Sequence, residues 1–267
     1  MSVRRAALPR QGQAVDINIR SRRRTKITRW IAGFMAGSAV LFGVFTVVFG
    51  VVAESQQIHG FHNAVVSALL LVLSAPPALA IARRPDQSNA PLITLTVLSA
   101  AALITMAASL TVDPFTLPFV VFTGVLWTIR PSSERTGQHE PPSWSLLLLV
   151  VAGAVPLMVY ALGQAELQRT LAGDEHSQFF HWVEASFYST AILFLGLLSA
   201  LRPRTYRMAG FSAGLGLSIF GLAALLLGGY ASAVSARWAW LATVGGVAFI
   251  WLVAREGVLS RTRATAS

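Results

Sequence analysis

The stretch that decides the fold is FHNAVVSALLLVLSAPPALAIARRP, residues 61–85, which has a counterpart in FHWVEASFYSTAILFLGLLSALRP, residues 180–203. Each stretch begins with Phe-His, continues as an apolar run and ends with Arg-Pro. Each run is long enough for a helix that crosses the hydrocarbon core of a bilayer, which takes about 20 residues. The two stretches therefore predict two membrane helices, each with a histidine at one membrane face and an arginine at the other.

The neighbouring segments extend this similarity. One apolar run precedes each stretch and two follow it, and the last run of each set ends in a tryptophan near an arginine (Trp127 with Arg130, Trp251 with Arg255). Spans one to four thus match spans five to eight. This internal similarity predicts two parallel four-helix repeats related by a pseudo-twofold axis along the membrane normal.

The amino-acid composition indicates that the chain is a membrane protein. Hydrophobic residues make up 54% of the 267 positions and charged residues 12%, whereas a soluble domain carries about 25% charged residues. We predict an all-α, polytopic membrane helical bundle of about eight transmembrane helices, with apolar runs at 30–53, 61–82, 90–111, 114–130, 143–163, 182–201, 208–229 and 236–254. The fourth run is short and contains Pro118, so seven spans are the alternative.

The basic residues predict the orientation. The chain has a net charge of +10, and nineteen of its 21 basic residues fall in the segments that the eight-span count places on one side. Cytoplasmic loops carry such an excess, so both termini are predicted to be cytoplasmic in a multi-pass protein of a cell inner (plasma) membrane. Twenty of the 21 are arginine, which is typical of GC-rich bacterial genomes. The expected partners are the lipid bilayer and partner membrane subunits, with no nucleic acid.

These boundaries divide the chain into five parts. They are a basic cytoplasmic tail (1–29), a first four-helix repeat (30–130), a cytoplasmic linker (131–142), a second four-helix repeat (143–255) and a cytoplasmic tail (256–267). Within the first repeat, Pro76-Pro77 is expected to bend or break the second span, because proline removes backbone donors.

Most of the histidines, together with several carboxylates, lie on the predicted outer side. His59 and His62 are three residues apart, as are His181 and Glu184, so each pair shares a helix face. Neutral imidazole binds zinc, copper and iron, and nearby carboxylates ligate the metal or orient the rings. The sequence predicts a candidate site for a metal ion or haem that draws on His62, His181, His59, His176, Glu184 and Glu54. The chain has no cysteine, which excludes thiolate ligands.

The layout of eight spans in two four-helix units with histidine pairs resembles that of the haem A synthases. The resemblance covers span count and duplication, and no residue is carried over. The spans hold no ionisable residue away from their ends, which argues against an ion-driven transporter. The favoured hypothesis is a non-enzymatic membrane component or scaffold. One alternative is an outer His/carboxylate site that binds a metal, haem or lipid headgroup with redox or hydrolytic chemistry; another is a small-solute permease.

Overall fold

A computed structural model describes residues 11–52, 59–131, 141–171, 173–202, 205–228 and 232–265. Every regular element in those ranges is helical, which confirms the predicted class. The elements are α1 (Gln11–Val52), α2 (Gly60–Ala68), a π-helical segment (Leu69–Ser74), α3 (Ala75–Arg83), a 3-10 turn (Pro85–Gln87), α4 (Asn89–Ser109), α5 (Leu117–Ile129), α6 (Trp144–Thr170), α7 (Glu175–Gln178), α8 (His181–Leu201), α9 (Arg207–Leu226) and α10 (Ala236–Thr265).

Seven helices in the described part of the chain are long and apolar enough to cross a membrane. α5 falls short: its 13 residues span about 20 Å at 1.5 Å per residue, against a hydrocarbon core of about 30 Å. An irregular segment, 110–116, replaces the missing turns. Its Asp113 is fully buried, and the Asp113 carboxylate accepts a hydrogen bond from the Phe115 amide at 2.8 Å within this segment.

Burial separates central from peripheral helices. α8 is the centre of the bundle: 72% of its most apolar window is buried, and it packs against α2, α4, α6 and α9. α6 and α10 are peripheral, with 17% and 22% of the corresponding windows buried. Their exposed faces carry large apolar side chains, among them Leu148, Val155 and Trp240, as expected of surfaces that meet lipid rather than water.

The two ends of the bundle differ in chemistry. One, the histidine end, carries His59, His62, His176 and His181 at the beginnings of α2 and α8 and in α7. The other, the arginine end, carries Arg83, Arg130, Arg202 and Arg255 at or beside the ends of α3, α5, α8 and the apolar part of α10. Hydrogen bonds join neighbouring elements there, from Arg130 Nη1 to Asn89 Oδ1 at 2.6 Å and from the Ser143 amide to the Ala200 carbonyl at 2.8 Å.

The second span is continuous through its two prolines. The segment Leu69–Ser74 is π-helical, and α3 then starts with Pro76 and Pro77 in its first turn. Proline is tolerated at that position because the first amides of a helix lack partners within the helix. The predicted break is therefore a π-helical segment that reshapes the helix surface without ending the span.

Candidate metal centre

Four imidazole rings meet at the histidine end. His59 and His62 come from the beginning of α2, and His176 and His181 from α7 and α8. Ring centroids lie 4.6 Å apart for His59 and His176, and 4.8 Å apart for His59 and His181. The corresponding distances from His62 are 5.0 Å to His176 and 4.9 Å to His181. Each ring of the α2 pair therefore contacts both rings of the other pair.

Helix packing explains why residues so far apart in sequence converge. α2 and α8 both begin at this end and pack against each other, so their first turns lie side by side. His59 is the N-cap residue of α2, and His181 is the first residue of α8. The α7–α8 corner brings His176 to the same place.

The corner between α7 and α8 is formed by a helix N-cap, Asp174, and by a left-handed backbone angle at Phe180. Asp174 caps α7, and its carboxylate accepts a hydrogen bond from the His176 amide at 3.0 Å. Phe180, between α7 and α8, has a φ of +62°, which costs a non-glycine residue roughly 1–2 kcal/mol. Such conformations concentrate at functional sites. Here the left-handed residue reverses the chain so that the next side chain, His181, enters the cluster.

Each histidine has one nitrogen beside an oxygen of another side chain. These pairs are His62 Nε2 with Ser232 Oγ (2.7 Å), His176 Nδ1 with Asp174 Oδ2 (3.0 Å), His181 Nδ1 with Glu184 Oε2 (3.3 Å) and His59 Nε2 with Glu175 Oε2 (3.7 Å). Metal-binding histidines show this arrangement, in which an oxygen holds one ring nitrogen and the other nitrogen binds the metal. One nitrogen of each ring therefore lies beside an oxygen, which leaves the other nitrogen as the candidate ligand atom.

The remaining nitrogens of the α2 pair have no partner. The Nδ1 atoms of His59 and His62 are buried and lack a hydrogen bond within the described residues. Nearby buried atoms in the same condition include Ser177 Oγ and Trp182 Nε1. The Trp182 ring stacks on His176 with centroids 4.9 Å apart. A buried polar group without a partner costs about 1–3 kcal/mol, and a bound metal ion would satisfy the imidazole nitrogens but not the Trp182 N–H, which needs an acceptor.

Electrostatics favour the neutral, metal-binding form of His59. Burial lowers the pKa of this imidazole, and positive charge on His181 and His176 lowers it further, against the opposing effect of the Glu175 carboxylate. Only 5% of His59 is exposed. Neutral imidazole is the form that binds metal. His59 is therefore ready to bind an ion at neutral pH.

The spacing of the rings agrees with tetrahedral coordination, but their orientation differs from it. Zn–N bonds of about 2.0–2.1 Å place imidazole centroids about 3.2 Å from the metal and about 5 Å from one another. The measured separations span 4.6–5.0 Å between the two pairs and 5.9 Å between His176 and His181. Within the described residues, however, no three His, Cys, Asp or Glu side chains already surround one metal position. Metal binding would therefore require the side chains of the cluster to rearrange.

The structure brings together five of the six residues that the sequence singled out for this site. His62, His181, His59 and His176 form the cluster, and Glu184 contacts His181. Glu54 lies outside the described residues. The sequence reasoning missed Ser232, whose loop between α9 and α10 carries no motif. The Tyr160 hydroxyl of α6 holds that loop by donating a hydrogen bond to the Ser232 carbonyl at 3.0 Å.

Comparisons with protein families, curated proteins and solved structures give no match to this chain.

Proposed function

We propose that this chain is a multi-pass membrane protein that binds one transition-metal ion, zinc or copper, at the four-histidine cluster. The single observation that carries the proposal is the convergence of His59 and His62 on His176 and His181, each with an oxygen beside one ring nitrogen. Imidazole nitrogen suits zinc and copper. Asp174, Glu175 and Glu184 would offset the charge of the ion.

A haem fits this geometry less well than a single ion. Two histidines that ligate one haem iron must lie on opposite faces of the porphyrin, with the macrocycle between them. The rings of His62 and His181 instead stack on each other, with centroids 4.9 Å apart and planes 20° from parallel. Trp182 occupies the adjacent space, since its ring lies 5.5 Å from His62. The cluster favours a compact ion.

The proposal is for binding rather than catalysis. A site with four protein ligands is closed, whereas catalytic zinc keeps a position open for water or substrate. A closed site would join α2, α7 and α8, and this role agrees with a non-enzymatic membrane component. A scaffold with incidental histidines would let the rings point apart, which the stacked rings do not support. A permease lacks comparable support, because the cluster lies at one end of the bundle and not along its length.

Location and orientation are part of the proposal. Basic residues concentrate at the arginine end, where the excess of Lys and Arg in short loops favours the cytoplasmic side. The histidine end would then face outward from a cell inner membrane, with both termini in the cytoplasm. All four histidines come from one chain, so partner subunits are not needed to assemble the cluster.

Duplication of two four-helix units, 30–130 and 143–255, is also proposed. Three pairs of equivalent contacts support it. Within the units, α1 packs on α2 and α3 as α6 packs on α8, and α3 packs on α4 as α8 packs on α9. Between the units, α4 packs on α8 as α9 packs on α2. Such an arrangement places His62 opposite His181 across a pseudo-twofold axis. The proposal retains eight membrane-crossing segments, with the run 114–130, which contains α5, as the fourth.

Equilibrium metal binding tests the function. Detergent-purified protein, stripped with a chelator, is titrated with Zn²⁺ and separately with Cu²⁺ by calorimetry. We expect one ion per chain, and we expect the double variant His62→Ala/His181→Ala to lose it. The matched control is His139→Ala, which changes the fifth histidine of the sequence, in the predicted cytoplasmic linker. Equal binding by the double variant and the wild type would refute the proposal.

A further inference from the structure

A groove lies between the second span and α9, away from the histidine cluster. It has a volume of about 570 Å³, within the roughly 300–1,000 Å³ of small-molecule sites. The second span contributes Leu71, Val72 and Pro76, and α9 contributes Arg207, Met208, Phe211, Ser212 and Leu215. The lining is mainly apolar, with one cation at the start of α9.

The π-helical segment and the prolines explain why the groove exists. α2 and the π-helical segment pack closely against α9, whereas α3 diverges from it toward the arginine end. Leu71 is held on the other side by α1, where a Cβ added to Gly43 would approach Leu71 Cγ to 2.6 Å. The groove is therefore a fixed consequence of helix packing, widest where α3 and α9 separate.

Among the described residues that line the groove, the positive charge of Arg207 has no acidic partner. None of the groove residues is acidic. The Arg207 guanidinium lies over the Phe211 ring at 5.3 Å, and its buried Nε has no hydrogen-bond partner within the described residues. A buried guanidinium N–H without an acceptor is costly, and phosphate oxygens match the planar fork of arginine.

We propose that this groove binds one anionic phospholipid. Its phosphate would accept hydrogen bonds from Arg207, and an acyl chain would lie along Leu71, Val72 and Phe211. Arg207 is the first residue of α9, at the arginine end, where a headgroup lies when the apolar part of a helix crosses the membrane. Cytoplasmic leaflets carry anionic lipids, and basic residues near the surface attract them.

Native mass spectrometry of the detergent-purified chain tests the proposal. Phosphatidylglycerol and phosphatidylcholine are added separately. We expect one phosphatidylglycerol to bind roughly tenfold more tightly than phosphatidylcholine, which corresponds to about 1.4 kcal/mol. Arg207→Gln should lose that preference. Arg202→Gln removes an exposed arginine from the same end of the bundle and should keep it.

Two further measurements, on a groove-filling variant and with inorganic phosphate as a competitor, complete the test. Val72→Trp fills the groove and leaves its charge in place, so it should weaken the binding of both lipids even if Arg207→Gln fails to fold. Inorganic phosphate at the same concentration should not displace the lipid, because it lacks the chain. Equal affinity for the two lipids, full binding by Val72→Trp, or displacement by phosphate would each overturn the proposal. The metal site lies at the other end, so its failure would leave this test unaffected.

Discussion

The imidazole rings of His62 and His181 stack 4.9 Å apart at the same end of the bundle, although they belong to different halves of the chain. Both residues follow a phenylalanine at the beginning of a long span. Because α2 and α8 pack against each other from their first turns, any residue in these positions would face its counterpart. The pairing thus follows from helix packing, and the chemistry follows from the two residues being histidine.

The hydroxyl of Ser232 should tune the metal affinity. Replacing it with alanine (Ser232→Ala) leaves His62 Nε2 without its 2.7 Å partner, so the ring loses its orientation. Loss of such a supporting partner lowers metal affinity roughly 10–100-fold. Zn²⁺ titration of the variant measures the change. Thr170→Val, at an exposed position at the histidine end, is the control, and an unchanged affinity in Ser232→Ala would show that Ser232 does not orient the ligand.

Asp113 should make stability depend on pH. Burial raises the pKa of this carboxyl above its ordinary value of 3.8, against the opposing hydrogen bonds from Thr116 and from the Phe115 amide. The folded state therefore holds the proton more tightly than the unfolded chain. Folding loses stability as pH rises through 3.8 toward the raised pKa, and the loss persists above it.

Asp113→Asn isolates this effect, since the amide does not titrate and its oxygen still accepts from the Phe115 amide. The melting temperature of the wild type, relative to that of the variant, should be lower at about pH 7 than at about pH 4. If the melting temperature of the wild type instead rises relative to that of the variant as pH rises, the hydrogen bonds, and not burial, determine the pKa of this carboxyl.

The contact between α9 and α10 should not tolerate a larger residue at Gly221. A Cβ there would lie 2.3 Å from the Ala239 carbonyl oxygen and 2.6 Å from the Thr243 amide nitrogen. Backbone atoms cannot turn away, so Gly221→Ala should destabilise the protein by about 1–3 kcal/mol. Gly163→Ala in α6 meets no atom within 4 Å and should be neutral or up to about 1 kcal/mol more stable. Thermal unfolding in detergent compares them, and equal melting temperatures would contradict the tight contact.

Hydropathy was sufficient to predict most of the fold. Seven of the eight apolar runs correspond to helices that are long enough to cross a membrane, because a continuous run of apolar residues has few other stable solutions. The fourth run did not give a full-length helix. Pro118 lies in the first turn of α5, and buried Asp113 stabilises an irregular backbone before it. Proline favours a helix start at this position, and the Asp113 carboxylate accepts hydrogen bonds from the loop before it; a hydropathy average over the run detects neither.

The sequence predicted the residues of the site that lie at helix starts, but not the one that lies in a loop. His62 and His181 are at helix starts, so their proximity follows from the packing of α2 against α8. His176 joins them through the α7–α8 corner, and the left-handed backbone of Phe180 in that corner is not signalled by a phenylalanine in a sequence. Ser232 reaches His62 from the loop between α9 and α10, a long-range contact without a local sequence pattern.

X-ray absorption spectroscopy of the zinc-loaded protein tests the central claim most directly. The account predicts a first shell of four nitrogen ligands at about 2.0–2.1 Å with the multiple-scattering signature of imidazole. The His62→Ala/His181→Ala variant should bind no zinc and therefore give no such signal. A first shell made of oxygen with fewer than two imidazoles in the wild type would contradict the four-histidine site.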